Sequence, residues 1–368
     1  MTHRITVSMS TAQVAGVWRR KWEEDPIGDT EGADRDTLVL WTQTPTSGLY
    51  VDLRLPKGSP GGSLSLARAG GFVPTPSALE ARSFSVADPS KLSSEQIDLL
   101  LRQKSFAGQL QRTVGDTTSG AALAKDDALA QLARDAKGGA IGLCTCFWRR
   151  DIDYQPPSGG LDVGVCASSH PNADGSIDLR ETGADASYAE GWYRLPGTVG
   201  VPSFAFKLIS ENDKERLGYW IRMGNYFAYA IGRPKDANTA QSLGCHERCH
   251  AIEECIGKSL GEAAQSFASD LATQMRIVGS YVGLFGEVTK SGVWNVMHST
   301  DPSLVGCTLV GSDTNSCSKL SIEEGRDKLD VGDMFSQFIV GCNQVVRVWE
   351  VVEIDGDSNL PGVKPEET

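Results

Sequence analysis

The chain has no block of lysine and arginine, no apolar run long enough to span a bilayer, and no glycine-rich phosphate loop. With a formal net charge of -12, a phosphate backbone or an anionic membrane surface is repelled on average, which argues against nucleic-acid binding. No stretch reaches the roughly 18 apolar residues of a spanning helix, and residues 1–20 lack the apolar core of a secretory signal. A cytoplasmic protein without a membrane span is therefore expected. None of the patterns GxGxxG, GxxxxGK[ST] or GxSxG stands at a strand-to-helix turn, so no nucleotide cofactor or common hydrolase elbow is expected. The nine cysteines are odd in number and scattered, unlike a disulfide framework; most read as reduced, small core residues.

What is present is ordinary globular composition, 40% hydrophobic and 22% charged, over 368 residues. That length exceeds what one hydrophobic core supports, so two domains are expected. Short runs rich in β-branched and aromatic residues dominate the first half, at 17–22, 37–44, 49–55, 106–113, 140–154, 160–166, 176–180 and 188–195. Turn chemistry separates them, as at 45–48 and 172–175. Residues 57–75 read as a long surface loop and 118–139 as an insertion. A Ser-capped helix is predicted after Ser93, carrying Ile97, Leu99, Leu100 and Leu101. The two prolines and two glycines of 196–202 mark the boundary between residues 1–196 and 203–354, each half having its own core, with 355–368 as a polar tail. The second half repeats the β rhythm and adds a helical pattern over 247–274. Many short strands with no βαβ alternation indicate a mainly β fold of closed barrels or sandwiches.

Gly16-Val17-Trp18 resembles the Gly-x-Trp signature of lipocalins and other calycins, in which the tryptophan plugs one end of an eight-stranded barrel. A longer set adds 40–44 (LWTQT), 51–56 (VDLRLP), 105–108 (SFAG), 147–157 (FWRRDIDYQPP) and Asp162-Val163-Gly164. In order and spacing these resemble the Hri family of bacteria and fungi over about residues 14–300. The resemblance implies two tandem antiparallel calycin/lipocalin-like β-barrels with a few short helices. It implies no particular activity.

Alternation along a strand sorts the polar residues, because a one-residue slip would exchange the two faces. Tyr50, Asp52 and Arg54 share one face, and Leu49, Val51, Leu53 and Leu55 the other. The same count groups Arg149, Asp151 and Asp153, and separately Tyr188, Glu190, Trp192 and Arg194. Two readings follow. Gln43, Arg54, Asp153 and Glu190, with Trp41, Trp148 and Trp192, surround a barrel mouth that binds a small molecule; or the charges pair across strands in solvent while the tryptophans fill the core.

The run Cys245-His246-Glu247-Arg248-Cys249-His250 pairs like residues at four-residue spacing but lacks a closed set of four ligands. Cys144 and Cys146 share a face with no further ligand specified, so no metal site is expected. The expected function is binding of a small apolar or conjugated ligand in the first barrel. The alternatives are an isomerase or lyase, with Arg54 as anion anchor and Asp153 or Glu190 as acid or base, and a non-catalytic protein-interaction scaffold.

Overall fold

The computed structural model describes residues 14–27, 37–57, 93–113, 143–160, 162–168, 177–242, 245–310, 316–321, 329–339 and 345–356. The expected loop from 58 onward, the insertion at 118–139, the turn at 172–175 and the tail beyond Gly356 lie outside these residues.

Eight strands form the first half: β1 (Gly16–Glu24), β2 (Thr37–Gln43), β3 (Leu49–Pro56), β4 (Lys104–Thr113), β5 (Leu143–Asp153), β6 (Val163–Ser168), β7 (Ile177–Gly183) and β8 (Ala189–Arg194). They pair antiparallel in chain order, and β1 pairs with β8 to close a barrel. Thr44 N–H donates to Leu49 O at 3.0 Å across the β2–β3 turn, where Gly48 takes φ +67°, a conformation glycine adopts without a Cβ penalty. Helix α1 (Ser94–Leu101) starts at a reciprocal cap in which Ser93 and Gln96 satisfy each other's backbone N–H.

Among the described residues the second half has ten strands: β9 (Ser203–Glu211), β10 (Lys214–Glu215), β11 (Gly218–Met223), β12 (Tyr226–Ile231), β13 (Val282–Val288), β14 (Trp294–Ser299), β15 (Thr308–Val310), β16 (Ser316–Ser321), β17 (Met334–Ile339) and β18 (Val345–Asp355). The sheet curls until β18 pairs with β9, giving the second of two tandem barrels. One pairing, β15 with β16, is parallel. The predicted long helix over 247–274 is broken. A 3-10 turn (Cys249–Glu254) precedes α2 (Leu260–Phe267) and α3 (Leu271–Val278). Gly257 at φ +76° and fresh N-caps at Ser259 and Asp270 interrupt the backbone, although the apolar spacing continues through them.

Apolar residues collect in three places. One cluster fills the first barrel around Trp18, Trp41, Trp148 and Trp192. Another fills the second around Phe206, Trp220, Trp294 and Trp349. The third lies between the barrels, where Leu49, Val51, Leu53 and Leu55 of β3 meet Ala205, Tyr219, Ile221 and Ala228. The apolar face of β3 is therefore its outer face, and Tyr50, Asp52 and Arg54 point inward. Burying such side chains contributes about 1.5–3 kcal/mol each, so the two halves share a core as well as owning one. Polar contacts lock the junction: Tyr219 OH donates to Asp151 Oδ2 at 2.6 Å, and Arg233 donates to the carbonyls of Asp153 and Tyr154 at 2.8 and 2.7 Å.

Candidate ligand-binding site in the first barrel

Register places Trp18, Trp41, Asp52, Phe106 and Asp153 at one level across β1 to β5. Glu23, Glu190, Glu181 and Cys166 lie at another, across β1, β8, β7 and β6. Between these levels and the mouth lies a cavity of about 220 Å³. Trp41, Trp148, Trp192 and Phe106 supply its aromatic wall; Asp52, Arg54, Glu181 and Glu190 supply the inner charges. Trp41 stacks on Trp18 with centroids 5.9 Å apart and meets Trp148 and Trp192 edge-on at 6.1 and 5.7 Å.

Arg54 is inside but engaged. Its Nε donates to Asp52 Oδ1 at 3.0 Å and Nη2 to Oδ2 at 3.3 Å, while Nη1 lies 3.6 Å from Glu190 Oε1. Arg20 donates to Glu190 at 2.8 Å and pairs with Glu23 at 2.9 Å. Arg150 holds Asp162 at 2.6 Å and Asp153 at 2.8 Å, with its guanidinium 3.7 Å from the Phe106 centroid. Glu181 is different: buried, it accepts from Tyr188 OH at 3.1 Å. Burial, reinforced by Glu190 and Asp162, pushes the Glu181 carboxyl well above the ordinary range, against Arg54 and the Tyr188 hydrogen bond. Burial also raises Asp52, despite Arg54 beside it. The indole N–H groups of Trp41 and Trp192 are buried with no hydrogen-bond partner, an unusual condition for buried donors.

Of the residues singled out by sequence, Trp41, Arg54, Trp148, Trp192 and Glu190 line this cavity. Gln43 and Asp153 do not. Gln43 is fully buried farther along the same inner face, opposite Gly16 and Tyr50, with both amide atoms unpartnered. Asp153 binds Arg150. The grouping of Arg149, Asp151 and Asp153 on one face fails because β5 carries a bulge. Gly108 pairs with Arg150 and Ala107 with Ile152, so Asp151 is the extra residue. Arg149 and Asp151 pair with each other at 3.0 Å, and Asp151 reaches the second barrel through Tyr219, whereas Asp153 returns to the level of Phe106.

Sequence reading passed over Glu181, because its strand ended at Arg180; the alternation Ile177, Leu179, Glu181 was the available signal. It also passed over Glu23, whose parity a register shift between Arg20 and Trp22 conceals. Gly164 explains how Glu181 gets its place. A Cβ there would lie 3.0 Å from Glu181 Oε1 and 3.1 Å from Trp148 Cζ3, so the glycine lets both side chains approach the β6 wall.

Cys144 and Cys146 do share the inner face, with sulfurs 3.3 Å apart. Cys245 and Cys249 meet through a turn and the 3-10 segment, and the Cys249 thiol holds Cys245 down to about 7. Among the described residues no group of three or more His, Cys, Asp and Glu side chains is arranged to hold a metal ion. No described helix is long and apolar enough to cross a membrane.

No family model matches the chain, and no curated protein matches it. Among solved structures, the uncharacterized protein YLR301w from Saccharomyces cerevisiae is similar at 11% identity and a TM-score of 0.42, over 93% of this chain and 99% of that one.

Proposed function

We propose that the first barrel binds a small molecule in its interior, in the manner of a calyx with an aromatic wall and a charged mouth. The observation that carries this reading is the cavity of about 220 Å³ lined by three tryptophans together with buried charged side chains. Concave sites with an apolar wall and a few convergent polar groups are the usual form of a ligand pocket. Binding is favoured over catalysis by the state of the candidate acid and base. Glu190 is held by Arg20 and Arg54, and Asp153 by Arg150, so each carboxylate already has a cationic partner. The motifs that resemble the Hri family include Trp18, Trp41, Arg54, Phe106, Trp148 and Gly164, all at this interior, which supports placing the chain in that family. Buried, closely spaced thiols at Cys144 and Cys146 suit the reducing cytoplasm.

The test is native mass spectrometry of freshly purified protein, followed by titration with indoles and phenols while indole fluorescence is recorded. A co-purifying small mass, or a saturable fluorescence change weakened by Trp192→Ala, is expected. No bound mass together with no saturable change for any probe would overturn the reading.

A further inference from the structure

The cavity's charges are unevenly matched. Six lining residues are carboxylic acids and two are arginines. Both arginines are committed, Arg54 to Asp52 and Arg150 to Asp162 and Asp153, so an incoming anion would have to displace a carboxylate already bonded to its guanidinium. Among the buried acids, Asp52 and Glu190 have arginine partners, whereas Glu181 has the Tyr188 hydroxyl. Glu181 and Trp148 converge on the same point above Gly164, so a group seated at the carboxyl has its neighbouring atoms against an indole. The aromatic wall adds a second feature: Trp41, Trp148, Trp192 and Phe106 border the same space as the acids. A cation over aromatic faces gains further attraction from their quadrupoles.

Resting on the ligand-binding reading, we propose that the occupant is an organic ammonium: a small, flat-bodied amine whose charged nitrogen sits at Glu181 and whose body lies against Trp148 and Trp192. The cavity, about 220 Å³, is at the small end for a ligand pocket and suits a body of about a single ring with a short chain. The groups facing Glu181 are Glu190 on β8, Asp162 before β6, Arg54 on β3, Tyr188 before β8, and the thiols of Cys146 and Cys166 on β5 and β6. Arg54 is the one cation among them and is engaged by Asp52. An arriving ammonium therefore supplies charge that Glu181 lacks and favours its ionised form, so any proton the raised carboxyl holds is released as the ammonium binds.

The experiment is calorimetric titration with three probes of similar shape: tyramine, neutral 4-propylphenol and anionic 3-(4-hydroxyphenyl)propionate, in two buffers of different ionisation enthalpy. Tyramine should bind about tenfold or more tightly than the neutral probe, with proton release, and the anion should bind weakest. Glu181→Gln should bring tyramine to the level of 4-propylphenol in the same variant and abolish the proton release. Equal or tighter binding of the neutral or anionic probe, or a tyramine preference that survives in Glu181→Gln, would overturn the amine assignment while leaving a ligand-binding barrel. Failure of all three probes to bind would count against both.

Discussion

Glu181 in the first barrel and Glu211 in the second are both buried glutamates on inward-reaching strands, yet their surroundings push them in opposite directions. Burial alone would raise both. Around Glu211 it is outweighed by Arg347, at 3.0 Å, and by Arg216, which also bonds it directly, so that carboxyl is held below its ordinary value. The network is saturated. Arg347 Nη1 donates to Tyr229 OH at 2.6 Å, Arg216 donates to the carbonyls of Gly232 and Ser280, and Trp349 Nε1 donates to Gln337. Around Glu181 the nearest charges are other carboxylates. The interiors differ in the same way: the second holds Trp220 among Phe206, Tyr229, Trp294 and Trp349 with ring centroids 5.1–5.7 Å apart, while the first leaves space beside its tryptophans. The Trp220 indole N–H is buried without a partner, as those of Trp41 and Trp192 are; what separates the two interiors is the space beside the first barrel's tryptophans and the acids that line it.

The largest effect that would break this comparison is separation of the halves. The junction buries the outer face of β3 against β9, β11 and β12, so residues 1–196 expressed alone should lose the cooperative near-ultraviolet unfolding transition of the full chain. A fragment that unfolds as sharply as the parent would show that each barrel stands on its own core. Next in size, Trp220→Ala should cost about 3–5 kcal/mol, and Trp192→Ala, which borders existing space, should fall at or below the low end of that range; urea titration of both variants compares them. Equal losses would mean that the first interior is packed as tightly as the second.

The smallest effect sharpens the contrast through pH. Glu181 has a folded-state pKa above its unfolded value near 4.5, so its contribution is fully present below that value and is lost as pH rises toward the folded one. Glu211 has a folded-state pKa below 4.5, so its contribution is present above 4.5 and is lost as pH falls through the folded value. Glu181→Gln should therefore flatten the decline of stability at rising pH, and Glu211→Gln should flatten the loss in acid, each measured by chemical unfolding across pH 3–8. Slopes altered in the reverse sense would contradict the assigned environments.

Much of the architecture was legible because alternation survives wherever strands are regular. The face shared by Tyr50, Asp52 and Arg54, and that shared by Glu190, Trp192 and Arg194, are both real faces. What alternation cannot say is which face is the inside. On β3 the apolar side looks like a core and is one, but it is the core between the barrels, and this turned the charged side inward. Bulges are equally silent in sequence: the extra residue at Asp151 separates Asp153 from Arg149, and the shift after Arg20 hides Glu23. The long helix predicted over 247–274 failed for a different reason, since its apolar spacing is genuine but Ser259 and Asp270 each restart the backbone with a new cap.

The central claim, that the first barrel is built around a ligand and the second around itself, is tested most directly by a crystal structure of the full chain grown with tyramine. The account predicts one bound molecule inside the first barrel, its nitrogen within hydrogen-bond distance of Glu181, its ring against Trp148 and Trp192, and a second interior unchanged. A first barrel closed by its own side chains, with the indole N–H groups of Trp41 and Trp192 bonded within the protein and no molecule between them, would contradict it.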